Sequence, residues 1–385
     1  TRMTDRALSM YIRGKALDVT EEHVPEAEEL LGRAVKLHPT LGDGWNQLGS
    51  CFWKKGDYQL AFDCWQHTLL HTEDTKDRMT AMRELSMAYR VKGNNPDESL
   101  RLAKEVVSKD MTDTQSWYNL ANAYMSHFFS VSFAQEDLTR ALQAYHKSEG
   151  AAQACSNPDL HYNQATVHRY LEEYQSAVDE FERADLLDPL LRARESINQV
   201  ANWVASMHTM VSKRCHLKPS RISQALASIQ QCPDPLQVEG GSFTPTTLSE
   251  LQEGKNPSVA LQGMIMAAPD GDLPLHLVVS DSDGQFFSVA AYNLKKGVLK
   301  PGDTITLLAP TLLTCSLSGD VLVKERIKIQ GDDDISKGVS YRCVQTKPTD
   351  LLHNGRTCDA SYFERPKARF TVNPTTIQTP SSPYH

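Results

Sequence analysis

The sequence has none of the short signatures that mark catalysis: no glycine-rich phosphate loop, no G-x-S-x-G elbow and no H-E-x-x-H helix. A non-enzymatic role is therefore expected. It also has no apolar run of about eighteen residues, the length at which a helix could cross a bilayer. No C-x-x-C pair occurs, and the eight cysteines are spread thinly, as buried reduced thiols are, which points to cytoplasm or nucleus. Positive charge is not in excess: the net charge of -8 argues against wrapping nucleic acid along the whole length. The chain opens TRMTDRALSM, with neither an initiator Met nor the apolar core of a signal peptide, and reads as a piece lacking its N-terminus. Its 385 residues suit two or more domains.

What is present is a repeat. Trp45, Leu48, Gly49 and Phe52, followed by Ala61, Trp65 and Thr68, fall at the small-and-large spacing of a tetratricopeptide (TPR) unit, two antiparallel helices in roughly 34 residues. One such hairpin cannot bury its apolar face alone, so neighbours are expected. Gly14, Leu17, Ala27, Leu31 and Ala34 supply one before it; Leu85, Ser86, Tyr89, Ser99, Ala103 and Val106 supply one after. A fourth starts at Trp117 and Leu120, but its second helix, with Ala141 and Tyr145, arrives late, lengthening the hairpin around Phe128, Phe129 and Phe133. A fifth begins at Pro158 and contains Ala165, Ala177, Phe181 and Ala184. Leu191 to Ile229 reads as a degenerate sixth.

The texture changes after Cys232. Residues 233–257 are rich in Pro, Gly, Ser and Thr and read as a linker. Short apolar alternations follow at Val259–Ala267, Leu275–Ser280, Phe286–Tyr292, Thr304–Leu308, Val321–Ile329 and Val339–Gln345, with turn sequences at Asp281–Gly284 and Lys300–Asp303. These suit a small Greek-key barrel of the oligonucleotide/oligosaccharide-binding (OB) type. The expected class is mainly α with a smaller all-β domain: a TPR solenoid of about six hairpins over 1–232, a linker, an OB-like domain over 258–346, and a mobile tail over 347–385.

Candidate chemistry is sparse. Cys64, His67 and His71 share a helical face by spacing, and His161 and His168 occupy slots where other copies carry aromatics. Both sets are read as packing rather than ligands, so no metal and no cofactor is expected. In the β region acidic residues outnumber basic ones, and of the possible base-stacking rings Phe286, Phe287, Tyr292 and Tyr341 about half must face inward. Protein contact is favoured there, with binding of single-stranded nucleic acid or chromatin by a nuclear scaffold as the alternative. A third possibility is that the barrel caps the helical part.

The concave wall of the repeats is the informative surface. Aligned on Trp45, it should carry Asn46, Trp53, Arg83, Met87, Arg90, Tyr118, Asn122, Asp159, Tyr162 and Arg169. An extended peptide could set its own Glu against Arg83 or Arg90, its own Arg or Lys against Asp159, and an apolar side chain against Met87.

Several stretches closely resemble a known family: GKALDV from Gly14, WNQLG from Trp45, LSMAYR over Leu85–Arg90, SNPDLHYNQAT over Ser156–Thr166 and VSDSDGQFFSVAAYN over Val279–Asn293. They are similar to the Strap family of stress-responsive p300 activators, in the same TPR-then-OB order. The resemblance implies a cytoplasmic and nuclear adaptor. Such proteins scaffold the coactivators p300 and Jmy in p53 and actin responses, and recognise the Met-Arg-Glu-Ile/Cys N-terminus of nascent tubulin at the ribosome to trigger tubulin mRNA decay. By the same resemblance Arg90 and Asp159 are peptide contacts. A ribosome-contacting basic segment corresponds to Lys213, Arg214, Lys218 and Arg221, with fewer lysines here than in the family pattern. The family's N-terminal helical extension is missing.

Overall fold

The computed structural model describes residues 2–91, 95–150, 157–229, 232–239, 241–271, 274–329 and 334–364. The chain divides between Leu160 and His161 into two compact units. Helical hairpins run α1 (Arg2–Leu17) with α2 (Pro25–Leu37), α3 (Gly42–Lys55) with α4 (Tyr58–His71), α5 (Thr75–Val91) with α6 (Pro96–Lys109) and α7 (Thr114–His127) with α8 (Gln135–Ser148).

The small-and-large pattern has a direct physical cause. A Cβ on Gly49 would stand 2.5 Å from Nε1 of the fully buried Trp65, so α3 and α4 approach closely only because Gly49 has none. Trp65 packs with Ala61, Ala81, Leu85 and Ala88, joining this hairpin to the next. In the third hairpin the hydroxyl of Ser86 donates to the carbonyl of Ser99 at 2.9 Å, and that of Ser99 to the carbonyl of Ser86 at 2.8 Å, so two buried polar groups are satisfied where the helices touch. Asn95 caps α6 by accepting from the Glu98 amide at 3.1 Å, with Pro96 at the first helical position. The lengthened fourth hairpin holds a π turn over Phe128–Ser132, whose Phe128 and Phe129 are buried.

In the second unit, α9 (Pro158–Tyr170) continues from the boundary and meets α10 (Tyr174–Leu187) through Tyr162 on Phe181, ring centres 5.2 Å apart. Then come α11 (Ala193–Ser212) and α12 (Pro219–Ser228). The sheet strands are β1 (Leu236–Val238), β2 (Gly241–Thr246), β3 (Gly254–Lys255), β4 (Val259–Ala267), β5 (Leu275–Asp281), β6 (Phe286–Ala291), β7 (Thr304–Leu308), β8 (Thr311–Leu317), β9 (Val339–Thr346), β10 (Leu351–His353) and β11 (Arg356–Thr357). β4, β5 and β6 form a meander; β9 lies parallel to β6 and antiparallel to β8. β7 pairs back on β4. Because β7 and β8 are separated only by Ala309 and Pro310, one bent segment closes the barrel, as an OB fold requires. Its interior is filled by Leu261, Ile265, Leu277, Val279, Phe287, Val289, Ile305 and Val344.

The structure corrects three sequence expectations and adds a strand. Residues 233–257 are not simply a linker: β2 pairs parallel with β4, β3 pairs with β8, and a reciprocal Thr247–Glu250 capping box closes the turn between them. Val321–Ile329 is not a strand. Its first part is the short helix α13 (Gly319–Lys324), with Val321 and Leu322 buried and Val323 exposed, so tertiary packing overrides the strand propensity of the valines. The strand before α13 is β8, which starts directly after Pro310. The tail expected from 347 is structured at least to residue 364, with β10 paired to β7; 365–385 lie outside the described residues.

Within the second unit α11 packs on β6, β8 and β9. Hence β6 is buried at every position and β5 at all but its first. The seam contains a buried polar cluster. The Glu172 carboxylate accepts from the Tyr292 hydroxyl and from Gln345 Nε2 at 2.8 Å, while Trp203 Nε1 donates to Tyr174 Oη at 3.1 Å and stacks edge-on against His276. Burial raises the Glu172 pKa to about 8 and lowers that of His276 to about 4. Burial favours the neutral form of each, which weakens any ion pair at their 3.8 Å approach.

Candidate peptide-binding groove

Several charges on and beside the predicted wall are already used inside the protein. Arg83 forms an ion pair with Asp113 and also reaches Thr80 Oγ1 at 3.2 Å. That corrects its expected role as an anchor for a peptide Glu, since Asp113 already holds that guanidinium. Lys54 is paired with the fully buried Asp18 at 3.0 Å. Asp43 is engaged by Tyr11 and Lys15.

Arg90 differs. It sits near the C-terminal end of α5 and donates one hydrogen bond, Nη1 to Asn119 Oδ1 at 3.1 Å. Its Nε is buried without a partner, and among the described residues no carboxylate lies within ion-pair distance. Burial pulls its pKa down, opposed by Tyr118, Tyr145 and Glu84; the same burial raises Glu84 to about 7. A desolvated guanidinium with unused donors is poised to accept a carboxylate, because leaving a buried donor unmade is costly.

Tyr118 connects the two charged ends. Its ring is near Tyr145, centres 6.3 Å apart, and its pKa is raised first by burial, with Asn122 and Asn157 in hydrogen-bond contact and both Asp159 and Arg90 acting on it electrostatically. Asn122 Oδ1 in turn accepts from the Tyr145 hydroxyl at 2.6 Å. Asp159 lies in the first turn of α9, where a carboxylate is favoured, and its amide donates to Asn157 Oδ1 at 3.1 Å. It is 7% exposed, so it belongs to the floor of the groove rather than to an exposed wall. Arg90, Asn119, Tyr118, Asn122 and Asp159 thus form one cluster.

Other expected wall residues lie elsewhere. Trp53 is buried, its ring 6.0 Å from Trp65 and 4.8 Å from Tyr58: it is core, not groove. Asn46 is buried and donates to the Asp77 carbonyl at 2.9 Å, bridging α3 and α5. Met87 borders the core beside Trp65. Tyr162 and Arg169 belong to the second unit; Tyr162 meets Ser196 at 3.4 Å and Arg169 meets Gln199 at 3.5 Å. Asn119 and Glu84 are the groove residues sequence spacing missed, since neither falls at a concave position of the repeat frame. Cys64 is buried, and His67 stacks on Trp45 with ring centres 4.0 Å apart.

The four proposed stacking rings of the barrel, Phe286, Phe287, Tyr292 and Tyr341, are all buried, and Tyr292 is tied to Glu172. Part of the face that OB folds use around strands two and three is covered by α11, which packs on β6 and touches β5 through Trp203 and His276.

The helical hairpins with their lined groove, followed by the closed barrel, define a TPR adaptor with an OB domain. Residues 242–366 match the model of the tetratricopeptide repeat protein 5 OB fold domain. Tetratricopeptide repeat protein 5 of Homo sapiens is 34% identical over 331 residues, and that of Mus musculus 33% identical over 329; each alignment covers 80% of this chain and 74% of the relative. The Bos taurus protein is 33% identical over 327 residues, covering 79% and 73%. The chain belongs to the tetratricopeptide repeat protein 5 family.

Proposed function

We propose that the Arg90–Tyr118–Asp159 cluster binds a short peptide carrying an acidic and a basic side chain close together. The Met-Arg-Glu-Ile/Cys N-terminus of nascent tubulin has this character. The observation that carries the reading is the half-buried Arg90 guanidinium, which has one hydrogen bond, a buried and unpartnered Nε and no carboxylate within ion-pair distance among the described residues. The peptide Glu completes it, and the peptide Arg is drawn to Asp159. In this reading the chain acts at the ribosome, which Lys213, Arg214, Lys218 and Arg221 face, and triggers tubulin mRNA decay. Family resemblance further supports scaffolding of p300 and Jmy, in cytoplasm and nucleus. Burial of all four barrel rings weighs against single-stranded nucleic-acid binding.

Titration of a labelled Met-Arg-Glu-Ile peptide tests this. Arg90→Ala should weaken binding by about 1.5 to 3 kcal/mol, the worth of a hydrogen bond to a charged group. Arg90→Lys should recover only part, because an ammonium cannot make the bidentate contact. Equal affinity for all three proteins would refute the assignment.

A further inference from the structure

We propose that the groove between α12 and the β5–β6 turn docks an acidic protein segment that inserts one bulky apolar side chain. The groove is open to solvent along one side and has a volume of about 380 Å³. Its floor is apolar, from Leu217, Ile222 and Leu226, and its rim carries Lys213 and Arg214, with Asp283 on the opposite wall. The turn fits closely against the helix: a Cβ on Gly284 would stand 3.4 Å from Leu226 Cδ1.

Charge identifies the occupant. From Ser212 to Ile229 every formally charged residue is basic, Lys213, Arg214, Lys218 and Arg221, on a chain whose net charge is -8. The backbone also adopts a costly conformation here. Arg214, Cys215 and His216 have φ of 50, 52 and 53°, three consecutive left-handed residues without a glycine, beside the two rim cations. Cations alone would suit a phosphate backbone, which needs no cavity. A concave apolar floor gains free energy only by taking an apolar group out of water, and Asp283 would repel a phosphate chain crossing the groove. A protein segment satisfies all three: acids on the rim, an apolar anchor on the floor, an amide or base at Asp283.

This rests on the reading of the same cations as ribosome-facing and makes the contact a protein rather than RNA. The probe is a fluorescein-labelled Glu-Glu-Leu-Phe-Glu-Glu peptide, measured by anisotropy against the full chain. Saturable binding is expected, weakened at least tenfold by Leu226→Asp or by replacing Leu and Phe of the probe with Ala, and at least fivefold by Arg214→Glu. The probe-side change keeps the test valid should Leu226→Asp disturb folding. Indifference to the apolar replacement, or full displacement by a 20-nucleotide RNA, would overturn the proposal. Ribosome co-sedimentation separates the two readings. Loss with Lys213→Glu/Arg214→Glu but not with Leu226→Asp leaves the ribosome contact standing and refutes the apolar anchor. Retention in both refutes the ribosome contact, while the peptide titration still decides the anchor.

Discussion

Arg83 and Arg90 lie two turns apart on one face of α5, and repeat spacing assigns them the same role. The structure separates them by partner: Asp113 neutralises Arg83, whereas Arg90 has only the amide of Asn119. No repeat frame could show this, because Asp113 reaches α5 from the residue preceding α7, and that contact exists only once the hairpins stack. Arg83→Ala should therefore leave affinity for the Met-Arg-Glu-Ile peptide within about twofold, or ~0.4 kcal/mol, while lowering the melting temperature slightly through loss of a half-buried ion pair. A tenfold loss of affinity would restore Arg83 to the site. Asp159 was legible as a residue but not as an environment; its burial follows from the turn at Asn157 and from the start of α9.

Among elements, the helical hairpins were the most legible part of the chain, since the small residue of one helix and the large residue of its partner must coincide. Gly49 and Trp65 carry that rule. Gly49→Ala should destabilise by about 1 to 3 kcal/mol through overpacking, and Trp65→Ala by about 3 to 5 kcal/mol through the cavity left behind; urea denaturation measures both. A Gly49→Ala protein as stable as the parent would mean that the two helices are not in contact at that point. The strands were less legible. β7 and β8 form one segment bent at Ala309, whose φ of 44° is a local conformation that alternation cannot signal. In α13, Val321-Leu322-Val323 looks like a strand because local propensity is weak against tertiary packing. The burial of both faces of β5 and β6 was also hidden: a strand covered by a distant helix looks in sequence like any apolar run.

At the scale of the molecule, the second unit should show its seam as a pH dependence. Glu172 has a folded pKa raised to about 8 from its ordinary value of 4.5, so the native state holds a proton that the unfolded chain releases. Its contribution is fully present below about pH 4.5 and is lost as pH rises through about 8. His276, lowered to about 4, acts oppositely, but only below its ordinary value of 6.5. Between about pH 6.5 and 8 the Glu172 effect stands alone of the two, with a slope near 1.4 kcal/mol per pH unit at most. Chemical denaturation across that window should show stability falling, and Glu172→Gln should flatten the fall; an identical slope in the variant would mean the carboxyl is already ionised. The chain's overall acidity likewise conceals a local exception from Lys213 to Arg221, where every charged residue is basic, which only the structure places beside a groove.

The central claim is that Arg90 meets a carboxylate of the bound peptide. A double-mutant cycle, with Arg90→Ala on the protein and Glu→Gln at the third residue of Met-Arg-Glu-Ile, isolates that pair from effects on either partner alone. A coupling of about 1.5 kcal/mol or more is predicted. Additive losses, with coupling below about 0.3 kcal/mol, would contradict it.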